Sequence, residues 1–257
     1  MGESELRLTL RRQTPKATGW AGWLATEQES TWPASESALV AVDVWDNHWS
    51  RGAAERVNAL VPRIDATIRA AGDRGVLIVH APSDVVSFYA GHPARERALA
   101  VPRLEPPEPV PHDDPPLPID DSDGGSDTGE SSPFHAWTRQ HPGVEIREED
   151  VISADGGEVY SILRANGVKH VLVCGVHTNM CILNRPFAIK RLVRWGFDVA
   201  LIRDLTDAMY NPLQRPYVSH AEGTRLVIEY IEKFWCPTTT SDDITRQVDA
   251  AGQHSRL

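Results

Sequence analysis

Two residues far apart in the chain have types and surroundings suited to nucleophilic chemistry. One is Cys181, which closes the stretch Val171-Leu172-Val173-Cys174-Gly175-Val176-His177-Thr178-Asn179-Met180-Cys181. An apolar run ends in glycine, a short polar turn follows, and a helix-like segment opens at the cysteine. A helix N-terminus favours a thiolate, because its free N–H groups and dipole lower the thiol pKa. The other is Asp43, which ends the run Ala38-Leu39-Val40-Ala41-Val42. A cysteine nucleophile needs a base or a positive neighbour, and donors for a developing oxyanion. Asp43 suits the base and the turn 177–181 supplies N–H donors, which together support acyl transfer. His177, four residues before Cys181, is a second candidate base. The competing reading of Cys181 is a buried, inert thiol.

Asp43 is followed by Val44-Trp45-Asp46-Asn47-His48-Trp49, and the strand Val76-Leu77-Ile78-Val79 ends at His80. Ligands of open α/β sheets bind at the carboxyl ends of strands. Trp45, His48, His80 and Tyr89 are therefore candidate substrate contacts. His48, His80 and His177 would alternatively form a zinc cluster, which defines a metal-dependent hydrolase as a competing reading. The acidic stretch 120–127 resembles a calcium loop only loosely. It lacks the fifth-position carboxylate and a terminal Glu, so it is read as a solvated or subunit-bridging loop and no metal site is assigned.

The elements that would position these residues alternate regularly. Residues 5–11 alternate as a half-buried strand. Residues 53–71 carry apolar groups at helical spacing, with Gly72 to Gly75 as the stop. Val144 to Arg147 reads as a short strand and Ser153 to Asn166 as a helix. The strand 170–174 follows, then one helix from Cys181 to Gly196. The strand 199–202 and a helix over about 217–234 complete the series. Strand–helix–strand repetition predicts an α/β domain with parallel strands flanked by helices. Gly19-Trp20-Ala21-Gly22-Trp23 reads as an aromatic loop over the core or at a subunit contact. Eight of the 19 prolines fall between Pro102 and Pro118, which marks an extended arm. The organisation read from this is an N-terminal extension with a candidate edge strand over 1–37, one α/β domain over 38–237 interrupted by a Pro/Asp-rich insertion at 102–133, and a polar tail over 238–257.

Composition narrows the function. A formal charge of −10 argues against nucleic acid. No apolar run is long enough for a membrane span. The first residues lack the basic and apolar regions of a secretory signal. Three cysteines without metal-type spacing fit a reducing, cytoplasmic setting. With no Walker loop and no G-x-G-x-x-G, no cofactor is implied. The expected partner is a small-molecule substrate.

The run ending at Asp43 and the turn Gly175-Val-His-Thr-Asn-Met-Cys181 resemble the first-strand motif and the Gly-x-x-Thr-x-x-Cys nucleophile turn of the isochorismatase-like cysteine hydrolases, over roughly residues 38–205. The family includes nicotinamidases, N-carbamoylsarcosine amidases and isochorismatases. The resemblance implies an α/β, Rossmann-like three-layer sandwich with a mostly parallel sheet of about six strands flanked by helices, and a Cys–Asp–Lys triad with Cys181 as nucleophile and Asp43 as base. It further implies an oxyanion hole from the backbone N–H groups of His177 and Cys181, a non-proline cis peptide at Val176–His177, hydrolysis of a small C–N amide-type bond, and a homo-oligomer. The lysine is missing: the chain has only Lys16, Lys169, Lys190 and Lys233, and the matching position falls near Glu149. Arg147 is the expected replacement for its charge, although a guanidinium cannot give up a proton as an ammonium can. The missing lysine also leaves open a catalytically silent binding or assembly protein that kept the fold. The metal motif of nicotinamidases is not matched by His80-Ala-Pro-Ser-Asp84.

Overall fold

The computed structural model describes residues 4–17, 22–131 and 133–246. One eight-stranded sheet runs through it. Three adjacent parallel strands carry the site: β3 (Ser37–Val42), β4 (Leu77–Ala81) and β6 (His170–Val176). They are continuous apolar runs because both faces of a parallel strand are buried. β5 (Val151–Ile152), β7 (Asp198–Asp207) and β8 (Thr238–Thr239) extend the parallel part. An antiparallel hairpin, β1 (Glu5–Pro15) and β2 (Trp23–Pro33), adds to the β8 side. The order is β2-β1-β8-β7-β6-β3-β4-β5.

Strand order reverses between β3 and β6, which pair in parallel from Ser37–His170 to Val42–Gly175. The connection after β3 goes to one side and that after β6 to the other, which opens a crevice at their carboxyl ends. The two backbones meet closely there. A Cβ on Gly175, at φ +111°, would stand 2.0 Å from the Val42 carbonyl oxygen, so only glycine fits.

Alternation along the strands divides the core into two layers. Val40, Val42, Val171 and Val173 face one way, toward α3 (Gly156–Ala165), α5 (Ile189–Arg194) and α6 (His220–Phe234). Leu39, Ala41, Leu172 and Cys174 face the other, where α1 (Arg51–Gly72) lays down Val57, Val61, Ile64 and Ile68 at helical spacing. Asp155 and Ser219 cap α3 and α6, each accepting the N–H of a glutamate three residues on. A shorter helix, α2 (Pro93–Ala100), follows β4, with His92 as its cap.

Several boundaries differ from the sequence expectations. β1 is an interior strand, and the edge belongs to β2, whose polar run hides its pairing. Gly19, Trp20 and Ala21 lie outside the described residues; Trp23 opens β2 and meets Phe234 edge-on at 5.4 Å. The expected strand at 144–147 is coil, and the strand lies at Val151–Ile152 instead. Val144 is buried, but the Glu145 N–H is taken by Asp65 and the Arg147 N–H by Asp150, so no ladder forms. The single helix expected after Cys181 is two: α4 (Cys181–Asn184) and α5. Pro186 forces the break. The polar tail gives up Thr238–Thr239, buried as β8; residues 247–257 lie outside the described residues.

The insertion has neither helix nor strand and docks on its own chain. Its proline-rich part follows the α5–α6 face, where Asp114 pairs with Lys190 and Tyr230 donates to the Pro115 carbonyl. Its acidic part then crosses the carboxyl ends of the strands. Asp121, Asp123 and Asp127 bind Asn179, Asn211 and Arg56 respectively.

Candidate active site

Asp43 sits at the tip of β3, fully buried, with φ at +50°. This left-handed conformation is uncommon for a residue with a Cβ, and Asp tolerates it better than most. Its Oδ1 accepts the Ser83 N–H at 2.7 Å and its Oδ2 accepts Nε of Arg185 at 2.8 Å. The Cys181 thiol lies beside the same carboxylate. Burial pushes the Asp43 carboxyl up, while Arg185 and these hydrogen bonds pull the other way.

The nucleophile turn runs from the end of β6 into α4. The Val176–His177 peptide is cis. The His177 backbone N–H hydrogen-bonds to the Cys181 sulfur. The His177 carbonyl accepts from both Met180 and Ile182, which curls the chain around the Cys181 N–H. Thr178 anchors the turn to β7 through its N–H to the Asp207 carbonyl and its hydroxyl to Thr206 at 2.8 Å. Asn179 is buried and exchanges two hydrogen bonds with the Met209 backbone. Burial and the Asp43 carboxylate push the Cys181 thiol up to about 12, with Arg185 opposing. The expected lowering at a helix start is thus outweighed, and the resting pair is a thiol beside a carboxylate with a guanidinium on the far side.

Arg185 was not among the sequence candidates. It lies four residues after Cys181, one turn along the same face. Pro186 restricts the residue before it to extended backbone, and Arg185 has φ −58° and ψ 149°. The helix therefore ends there, and the side chain reaches Asp43 and, at 3.4 Å, Asp84. Its guanidinium lies 5.9 Å from the Trp45 ring centre, over the indole. These partners raise its affinity for the proton further, so it stays charged. An arginine at i+4 followed by proline was the legible signal.

Arg147 is not at this site. Its guanidinium pairs with Asp73 at 2.7 Å, just past the end of α1 where the chain enters β4, away from the carboxyl ends of the strands. His80 is buried and saturated, with Nδ1 at 3.1 Å from Gln140 and Nε2 at 3.0 Å from Asp150. It ties the segment 140–150 to β4, and both ring nitrogens are taken by that segment. The Tyr89 hydroxyl is spent likewise, accepting the Gln140 N–H at 2.9 Å. Trp45 is buried, donates to the Ser83 carbonyl and stacks on Trp137 at 4.2 Å; it backs Arg185 from behind. The His48 ring lies 4.8 Å from that of His177, edge to face. Burial holds His48 down to about 4 and His177 to about 3, so both are neutral and only weakly basic at neutral pH. Among the described residues no three His, Cys, Asp or Glu side chains are grouped to hold a metal ion. Cys174 and Cys236 are fully buried and pushed up to about 12, which leaves Cys181 as the thiol with access to solvent.

An open pocket of about 400 Å³ lies over the sulfur, lined by Leu117, Asp121, Asn179, Met180, Cys181, Asn184 and Arg185. Leu117 and Asp121 come from the insertion, the rest from the nucleophile turn and α4.

A cysteine hydrolase from Pseudomonas syringae pv. phaseolicola superposes with a TM-score of 0.53 over 85% of this chain and 94% of its own, at 18% identity. An isochorismatase from Pseudomonas putida gives 0.51 over 82% and 91%, at 14% identity. The fold is that of the isochorismatase-like cysteine hydrolases. No protein-family model matches the chain, and no curated protein matches it in sequence. Within this chain's sheet, β5-β4-β3-β6-β7-β8 are the parallel part and the antiparallel β1–β2 hairpin joins it at β8. Among the described residues no helix is long and apolar enough to cross a membrane.

Proposed function

We propose that this protein is a cysteine hydrolase that cleaves a C–N amide-type bond of a small molecule, with Cys181 as nucleophile, Asp43 as general base and Arg185 as the fixed positive charge. The observation that carries this reading is the Asp43 carboxylate, buried between the Cys181 thiol and the Arg185 guanidinium.

The substrate carbonyl enters the pocket over the sulfur. As Sγ attacks the carbonyl carbon, Asp43 takes the thiol proton. The carbonyl oxygen gains negative charge and is received by the N–H groups of His177 and Cys181, the former already aimed at the sulfur. Asp43 then hands its proton to the departing amine, the C–N bond breaks, and a thioester remains on Cys181. Water attacks the thioester, with Asp43 again taking a proton and returning it to the sulfur. The products are an amine and a carboxylic acid. Arg185 moves no proton. It stabilises the carboxylate before each transfer and the sulfur's developing charge during it. The proton shuttle is therefore Asp43 alone.

Amine or ammonia release from a panel of small primary and secondary amides tests this. Turnover of at least one member is expected, with complete loss in Cys181→Ala and in Asp43→Asn. Turnover that survives Cys181→Ala contradicts the reading.

A further inference from the structure

The pocket over Cys181 has a charge pattern that defines a substrate class. Asp121 lines it from the insertion. Its Oδ2 accepts Nδ2 of Asn179 at 2.7 Å, and Asn179 is itself locked by two bonds to Met209. The carboxylate is thus held in place, and among the described residues its Oδ1 has no hydrogen-bond partner. Arg185 provides the pocket's one guanidinium, but it is already bound by Asp43 and Asp84. Of the charged groups that line the pocket, Asp121 is left without a counter-ion, because the Arg185 charge is matched by Asp43 and Asp84 outside the lining. Of the cations on neighbouring elements, Arg56 is bound by Asp127 and Asp207, Arg95 by Glu158 and Lys190 by Asp114, while Arg215 acts on Asp120. A cleft with low-dielectric walls and an excess of one sign concentrates ligands of the other. Leu117 adds an apolar wall.

We infer that Asp121 is a specificity-determining residue that selects amides carrying a protonated amine at the end away from the scissile carbonyl. The carbonyl carbon reaches Cys181, a short apolar spacer lies along Leu117, and the ammonium donates to the open oxygen of Asp121. The inference rests on Cys181 being the reacting centre, but its test does not require turnover.

The test compares three thiol reagents on the full protein: 2-aminoethyl methanethiosulfonate (a cation), 2-sulfonatoethyl methanethiosulfonate (an anion) and methyl methanethiosulfonate (neutral). Each forms a mixed disulfide with Cys181 and releases methanesulfinate. Rates are followed by intact mass and divided by each reagent's rate with free 2-mercaptoethanol. The normalised cation-to-anion ratio is expected to be about tenfold or more in the wild type and to shrink with added salt. Asp121→Asn keeps an acceptor for Asn179 and removes the charge; the ratio should fall several-fold. Asp120→Asn, an exposed neighbour whose carboxylate binds Ser122, controls for net charge and should leave the ratio near wild type. A ratio equal in wild type and Asp121→Asn, or a preference for the anion, overturns the inference. An Asp121-dependent ratio in a protein that hydrolyses no amide would leave the pocket assignment standing and remove the hydrolase reading. Amide turnover indifferent to charge would do the reverse.

Discussion

The Nε of Arg185 lies 2.8 Å from Oδ2 of Asp43, joining the nucleophile helix to the tip of the first parallel strand. The charge beside Asp43 thus comes from one turn beyond Cys181, whereas the sequence reading sought it ahead of the cysteine strand, at Arg147. Asp43 is fully buried and Arg185 about one quarter exposed, with side-chain exposures of 0% and 28%. A charge pair of this kind is strongly coupled to its surroundings, and removing one partner strands the other.

The thiol is predicted to be protonated at rest. Burial and the Asp43 carboxylate push Cys181 up to about 12, so its alkylation by iodoacetamide should keep rising above pH 9 with no plateau near the ordinary thiol range. Asp43→Asn removes the repelling charge. It should raise the alkylation rate at pH 8 while abolishing amide turnover. A plateau below pH 8 in the wild type would contradict the assigned resting state.

Acid should destabilise the fold through the histidines behind the site. His177 and His48 are held neutral, down to about 3 and about 4, by burial. The unfolded chain takes up these protons near the ordinary histidine value, so between there and the folded values the unfolded state binds more protons. Stability therefore falls as pH drops, by up to about 1.4 kcal/mol per pH unit for each histidine. Urea unfolding at pH 7 and pH 5 measures this, and His48→Phe should flatten the dependence. Equal stability at the two pH values would refute it.

Arg56 is expected to pin the insertion. It binds Asp127 at 2.9 Å and Asp207 at 2.8 Å. Against burial, His220 and Arg56 hold the Asp207 carboxyl below its ordinary range. Arg56→Gln leaves both carboxylates without this partner. A loss of about 2–4 kcal/mol is expected, with faster proteolytic cleavage within 120–131 than in the wild type. Unchanged cleavage would mean that other contacts seat the insertion.

Much of this architecture was legible in the chain. Buried parallel strands must be continuous apolar runs, so β3, β4 and β6 announced themselves, and with them the crevice that holds Asp43. The turn 175–181 was legible because few backbones need that order of glycine, threonine and cysteine. Strand-end position alone did not reveal how a side chain is spent. His80 and Tyr89 sit at the right end of the sheet, but both are consumed by Gln140. β2 offers almost no hydrophobic pattern, since most of its residues face solvent. β8 is too short to show one. Arg147 followed from seeking a cation ahead of the cysteine strand; Arg185 required reading the i+4 face of a helix together with the proline that ends it.

The central claim is that Arg185, and not Arg147, supplies the charge for a Cys181 acyl-enzyme. Intact-mass measurement of protein quenched in acid during turnover of the best amide from the panel tests it most directly. An acyl adduct on Cys181 is predicted in the wild type and in Arg147→Gln at the same rate. In Arg185→Gln its formation should slow by about 100-fold, equivalent to about 2.7 kcal/mol of lost transition-state stabilisation. Adduct formation that is untouched in Arg185→Gln, or lost in Arg147→Gln, would contradict the account.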